Sequence, residues 1–419
     1  MLNKSLLSSL VLGGGQASAA YLYVTSYAGT LTSLSLSSTA SGGKSLEVIA
    51  VDENCGGAPS WLTHDKAKNI LYCADEGWNT WPNGLIAAYA PLEDGTLELI
   101  SQAPTIVGAV SILLYGPDDT GLAVPYYSDG AFTTWDASDP ADIKLLHTDT
   151  YELEEPGANP DRQEAPHPHQ TIADPSGAFI LIPDLGADLV RVYAVGEGDL
   201  SVTEVESIVA ARGSGPRHAT FAVYDEAIYL YVIHELDNTI VGYTVSYPEG
   251  GIAFEEIFSI GTHGEGVPVP VGASAAEITV TVSSSPCHIR VHPLLTLSPP
   301  PLSQPDQSFL LASSRNESIW DIPSFEHPSN ATIPSDTLIN FSIDPATGAL
   351  TQIQEVPSGG RFPRHFSFND ATDLVAVIQQ SDGRVVVVER DPESGLLGDF
   401  VASADVGGEV NNVIFNEDF

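Results

Sequence analysis

A chain of 419 residues with 55 acidic against 15 basic side chains carries a formal net charge of −40 at pH 7. Such a field repels nucleic acid and anionic membrane surfaces, so both are excluded as partners. Length alone suggests two or three domains, and the excess of carboxylates marks a solubilising surface.

Read from the start, Met1-Leu-Asn-Lys is followed by a short apolar run from Ser5 and by small residues ending in Ala17-Ser-Ala-Ala. One Lys, a brief apolar core and a small-residue cleavage pattern predict a secretory signal peptide over residues 1–20. The run is too short to span a bilayer. A secreted, extracellular protein is therefore expected, with Tyr21 opening the first strand. Residues 21–36, Tyr-Leu-Tyr-Val-Thr-Ser-Tyr onwards, alternate as strands do.

From here one hairpin plan recurs. Each copy opens on a polar residue, runs through an apolar strand, turns, and climbs a second apolar strand that closes on another polar residue. Trp61 is matched with Glu76, His169 with Asp184, Arg217 with Glu235, Cys287 with Arg315, and Arg364 with Gln379 or Gln380. In an antiparallel hairpin the first residue of one strand and the last of its partner share a sheet edge, which places every pair on one face. Cys55 and Cys73 flank the first hairpin and are placed to bridge, whereas Cys287 reads as a buried thiol. Tyr126 and Tyr127 end the corresponding strand of the second unit.

Two segments, Gly261 to Ser285 and 294–307, break the rhythm and read as insertions. A third, 320–337, is rich in Ser and Pro and lies beside Arg315, a position suited to a lid. Asn316, Asn330 and Asn340 head glycosylation sequons; Asn316 is expected to stay bare because a glycan there crowds the site.

Unit starts near Trp61, Ile112, His169, Arg217, His288, His365 and Asn412 give seven repeats, each about one four-stranded blade long. The seventh is incomplete, and residues 21–36 supply its missing strands. The expectation is all-β: a seven-bladed β-propeller over residues 21–419, its N- and C-terminal strands sharing the closing blade. Closure removes exposed sheet edges.

All ten arginines lie at or after position 162. Arg217 and Arg315, at hairpin ends of a chain poor in positive charge, suit anion binding through a guanidinium fork. Arg191, Arg384 and Arg390 read instead as surface salt-bridge partners. No Cys/His spacing resembles a zinc site, and neither metal nor cofactor is expected. The charge and the closed ring favour a monomer.

The His167-Pro-His-Gln…Asp174-Pro-Ser-Gly…Pro183-Asp-Leu-Gly-Ala-Asp hairpin, together with Gly215-Pro-Arg-His, Glu235-Leu, Ala312-Ser-Ser-Arg-Asn and Phe362-Pro-Arg-His, resembles the seven-bladed propeller lactonase family. That family includes bacterial-type 6-phosphogluconolactonases and the fungal 3-carboxy-cis,cis-muconate lactonizing enzyme, and the secreted, acidic character is similar to its fungal branch. The resemblance spans about residues 20–419. It implies a site of His169, Arg217, Glu235 and Arg315, with His169 preferred to His167 because it keeps the family's step to Asp174.

Those residue types suit the chemistry. Opening or closing a lactone needs cations to hold carboxylates and groups to move protons. Arg217 and Arg315 are the expected clamp. His169 is expected to titrate near working pH. Glu235 either supplies the complementary proton transfer or holds Arg217 in place. Trp61, Glu76, Tyr127, Asp184, Arg364 and Gln380, and more weakly Tyr126, are expected to line the pocket. By strand alternation, His218 and His365 point to the opposite face and read as blade packing.

The expected partner is a small carboxylate or lactone, and the activity that of a carboxymuconate-type cyclase. The alternatives are a 6-phosphogluconolactonase and a non-catalytic extracellular binding propeller.

Overall fold

The computed structural model describes residues 20–78, 83–225, 227–281, 308–326 and 330–417. The predicted signal peptide, Cys287, the unit start at His288 and the 294–307 insertion lie outside the described residues.

Seven four-stranded antiparallel sheets make up the described chain, joined by one small two-stranded hairpin. We number the sheets as blades in chain order: blade 1 spans residues 59–105, blade 2 113–150, blade 3 172–209, blade 4 216–261, blade 5 274–357 and blade 6 366–405. In blade 7 the C-terminal strand Val410–Asn416 is innermost and pairs with Ala20–Ser26, followed outward by Thr30–Ser38 and Lys44–Asp52. The expected sharing of one blade by the two ends of the chain is what the structure shows.

Burial follows position within a blade. Second strands such as Ile70–Asp75, Phe179–Asp184, Phe309–Arg315 and Leu374–Gln379 are buried along their whole length. Covered on both faces, they read as near-continuous apolar runs. The fourth strands, among them Lys144–Thr150 and Val202–Val209, are largely exposed.

The core is divided accordingly. Seven apolar clusters of described residues each lie between two neighbouring blades: Tyr72, Ile86 and Trp135 join blades 1 and 2, while Leu22, Val413, Val385 and Val387 join blade 7 to blade 6. No blade covers its own faces, so the ring is the cooperative unit.

Blade 5 corrects the sequence reading. Its inner strand is Ser274–Val280, inside the segment read as an insertion, and the break in the rhythm up to residue 273 is a loop. Ala-Glu-Ile-Thr-Val-Thr-Val alternates as a strand should, but it lacks the Pro-Arg-His signature that marks blades 4 and 6, and Cys287-His288 imitated that signature. The 320–337 segment forms the hairpin Trp320–Pro323 with Thr332–Ser335. Its base is pinned by Asp336, whose carboxylate accepts the backbone N–H groups of Asn316, Glu317, Ser318 and Phe362.

Cys55 and Cys73 form a disulfide between the approach to blade 1 and its second strand. Asn340 is 2% exposed, and its Nδ2 donates to the Gly395 carbonyl at 2.5 Å. That amide cannot carry a glycan in the folded protein, so the expectation for this sequon is withdrawn.

Candidate active site

The inner strands converge on a central cavity walled by Trp61, His169, Arg217, His218, Glu277, Arg364 and His365 with Ser60, Val110 and Asn411. Adjacent residues such as Arg217 and His218 line it together, which regular alternation forbids. The reason is a recurring β-bulge. Pairing slips at Ser60 between Pro59 and Trp61, at Arg217 between Pro216 and His218, and at Asn411 between Val410 and Asn412. A bulge inserts one unpaired residue and re-aims its neighbour, so two successive side chains enter the channel. His218 and His365 are therefore wall residues, contrary to the expectation of blade packing. His365 escapes alternation differently, because the regular strand begins only at Phe366.

Gly215 makes the Arg217 bulge possible. Its φ is 66°, in the left-handed region that favours glycine, and a Cβ there meets Leu236 Cγ at 2.5 Å. The turn carries the Glu235 N–H to the Gly215 carbonyl, at 2.8 Å.

Glu235 is the electrostatic centre. Its Oε1 lies 2.6 Å from Arg162 Nη2, and its Oε2 lies 3.0 Å from both Arg217 Nε and Arg315 Nη2. The Arg217 contact is an ion pair whose Nε–H is not aligned for a hydrogen bond. Burial pushes the carboxyl upward, but Arg315, Arg217 and Arg162 outweigh it and hold Glu235 well below the usual carboxylate range. A carboxylate so held is a poor proton carrier. Of the two roles left open by the sequence, the geometry supports orienting the arginines. Arg162, which sequence reasoning missed, lies between the blades in a loop without a hairpin signature.

The other guanidinium donors are fixed by backbone. Arg217 Nη1 reaches the Ala276 carbonyl at 2.5 Å, and Arg315 donates to the Ser274 and Ala275 carbonyls at 3.1 and 2.8 Å. Burial, then Arg315 and Arg364, lowers Arg217 to about 9, still protonated at neutral pH. Arg364 differs: among the described residues its guanidinium makes no hydrogen bond or ion pair, and it lies 6.0 Å from the Tyr27 ring. Nearby Glu76 accepts from the Tyr27 hydroxyl at 2.5 Å, and burial raises its carboxyl to about 7 against the pull of Arg364. Three guanidiniums thus surround one firmly ionised carboxylate, and Arg217 and Arg364 bring positive charge to the cavity wall inside a strongly anionic protein.

His169 lines the same cavity just ahead of blade 3, its N–H donating to the Pro183 carbonyl at 2.9 Å. Burial first, then Arg217, His218, Arg364 and Arg315, holds its imidazole well below the ordinary histidine range. The expectation that it titrates near working pH is therefore corrected: it is neutral there. Its Nδ1 lies 3.1 Å from His218 Nε2.

The remaining expected pocket residues divide. Trp61 packs edge-on against His218 and His365 with ring centroids 5.8 and 5.1 Å away, and Arg364 is in the wall. Tyr127 lies behind it, stacked on His167 at 4.2 Å and edge-on to His169 at 5.6 Å. Asp184 is not a pocket residue: it caps the His167 and Ala187 N–H groups and binds Arg191 Nε at 2.9 Å. Arg191 is correspondingly buried and stacked on Tyr151, and Arg390 is buried too, so neither is a surface partner; Arg384 does pair with exposed Asp405. Gln380 stands on a short 3-10 turn outside the wall, and Tyr126 is core, hydrogen-bonded to Thr105 and Thr133. Among the described residues no group of three or more His, Cys, Asp or Glu is arranged to hold a metal ion.

The sequence matches the seven-bladed β-propeller lactonase family over residues 21–286 and 302–415. The chain belongs to that family. It is a lactonase-class enzyme, and the family's substrate is a small lactone. It is 26% identical over 339 residues to a probable 6-phosphogluconolactonase of Arthroderma benhamiae, covering 80% of this chain and 75% of the relative. It is 24% identical over 344 residues to the 6-phosphogluconolactonase of Bacillus subtilis, with 81% and 82% covered. Among solved structures, the lactonase fold superposes with a TM-score of 0.72 on a putative 6-phosphogluconolactonase of Bacteroides fragilis, at 20% identity and 95% and 98% coverage. It superposes equally on a periplasmic gluconolactonase of Pseudomonas aeruginosa, at 20% identity and 95% and 99% coverage. At these identities the structural likeness speaks to fold alone.

Proposed function

We propose that this lactonase hydrolyses a sugar-acid lactone carrying an anionic substituent, with His169 as general base. The observation that carries the reading is a neutral His169 lining the same cavity as Arg217 and as Arg364, whose guanidinium has no hydrogen-bond or ion-pair partner among the described residues. The 6-phosphogluconolactonase names of its relatives support hydrolysis. The carboxymuconate cyclisation first expected gains no support from them.

In this reading His169 Nε2 accepts a proton from water as the water oxygen bonds to the ring carbonyl carbon. The carbonyl pair moves onto oxygen, where guanidinium charge from Arg217 stabilises it. Collapse breaks the ring C–O bond, and the departing alkoxide takes the proton back from His169. Water is consumed, and a hydroxy acid is released. Glu235 acts by holding Arg217 and Arg315 together, and Arg364 holds the substituent anion.

Export of the chain belongs to the same proposal and is supported by the Cys55–Cys73 disulfide, a bond that persists in oxidising surroundings. The test is acid release from 6-phosphoglucono-δ-lactone and from glucono-δ-lactone above the spontaneous rate, with loss of 3-carboxy-cis,cis-muconate absorbance followed in parallel. Accelerated release from either lactone is expected. Turnover of the muconate alone overturns the reading in favour of cyclisation, and no turnover of any favours a binding propeller.

A further inference from the structure

Glu277 comes from the inner strand that sequence reading took for an insertion, and hydrolysis as written above does not use it. The residue is 3% exposed and lines the cavity among histidines. Oε1 receives the Ile278 backbone N–H at 3.1 Å and lies 2.9 Å from His218 Nδ1. An oxygen already accepting a backbone donor is the acceptor for the imidazole as well, so His218 carries its proton on Nδ1. Its Nε2 then has only a lone pair to offer, and the 3.1 Å contact requires His169 to donate through Nδ1–H. That leaves His169 Nε2 as the lone-pair nitrogen, with no hydrogen bond to any described residue. On the far side, His365 Nδ1 accepts the Val413 N–H at 3.4 Å, which leaves its Nε2–H directed towards Glu277 Oε2, 3.7 Å away.

We propose that Glu277 and His218 are positioning residues that set the tautomer of His169 and stabilise its imidazolium, forming a Glu277–His218–His169 relay behind the base. This rests on the reading of His169 as the base. The relay answers a difficulty in that reading. Arg217, Arg364 and Arg315 all face His169 and His218, and their charge opposes protonation of either ring. A base in such a field is weak unless a buried carboxylate offsets it through hydrogen-bonded intermediates. Glu277 is that carboxylate, with His365 on its second oxygen; Glu235 is committed to the arginines.

The test is the pH dependence of kcat and KM for 6-phosphoglucono-δ-lactone in the wild type, Glu277→Gln, His218→Gln and His169→Ala. Glu277→Gln is expected to lower kcat roughly 100-fold with KM nearly unchanged. It also moves the acid limb of the profile to lower pH, because imidazolium at His169 becomes harder to form. A reduced kcat with an unmoved limb indicates a structural role and overturns the relay. His169→Ala separates the two failures: wild-type activity there removes His169 as base and the relay with it, whereas loss there beside wild-type kinetics in Glu277→Gln overturns the relay alone. Should Glu277→Gln not fold, nitrogen-15 NMR of the histidine-labelled wild type decides. Nδ1–H tautomers are expected at both His169 and His218, and an Nε2–H tautomer at His169 overturns the assignment.

Discussion

Replacing Glu235 with Gln is the perturbation that most sharply separates an arginine-orienting role from a proton-carrying one. The side chain is 5% exposed and contacts three guanidiniums at 2.6, 3.0 and 3.0 Å. Removing its charge strands Arg217 and Arg315, each almost fully buried, without a counter-ion. Breaking a buried pair from one side costs about 3–5 kcal/mol, far above the cost of losing a solvent-exposed pair. Because Arg162 is 40% exposed on its side chain and water screens its part, the lower end of that range is expected. Urea unfolding at pH 7 measures the difference. The pH dependence supplies the sign: a carboxyl held below its ordinary value contributes stability that is present above the unfolded Glu range, near pH ~4.3, and is lost as pH falls through the folded value. The gap between wild type and Glu235→Gln should therefore narrow as pH drops below about 4. A gap under about 1 kcal/mol, well below that expected for a buried pair, or one that does not narrow in acid, refutes the three-arginine account of Glu235.

Arg364→Ala should raise KM for 6-phosphoglucono-δ-lactone by roughly 10- to 100-fold, the worth of one charge-assisted hydrogen bond, and leave glucono-δ-lactone kinetics unchanged; equal effects on both would place Arg364 elsewhere in the reaction. Because burial raises Glu76 to about 7, its carboxyl is neutral below that pH and ionised above it, where it competes with substrate for Arg364. KM for the phosphorylated lactone should then climb as pH rises through about 7, and Glu76→Gln should flatten the climb in steady-state profiles. Reduction of the Cys55–Cys73 disulfide, which closes a short loop, should lower unfolding free energy by about 3 kcal/mol, measured as the shift between Cys55→Ser and wild type in urea.

The propeller, its seven units and the shared closing blade were legible in the sequence because each rests on a repeated apolar pattern and punctuating turns. The central quartet was legible too: Arg217, Glu235 and Arg315 do meet, and His169 faces the same cavity. What escaped was set by backbone irregularity. Alternation placed His218 on the wrong face because a one-residue bulge at Arg217 cannot be read from residue types. Glu277 was hidden because its strand lacks the motif of its neighbours, although Ala275-Ala-Glu-Ile-Thr-Val-Thr-Val carried the alternation that could have found it. Asp184 matched the hairpin rule by position but was taken by a turn and by Arg191. The low affinity of His169 for a proton comes first from burial and then from Arg217, His218, Arg364 and Arg315 on other blades, a tertiary fact.

The central claim is hydrolysis by a neutral His169 in a cationic propeller cavity. Steady-state acid release from 6-phosphoglucono-δ-lactone by wild type and His169→Ala, both confirmed folded by circular dichroism, tests it most directly. The account predicts kcat lower by about 10²- to 10⁴-fold in the variant, the usual worth of a general base, with KM changed little. Equal kcat in the two proteins would contradict it.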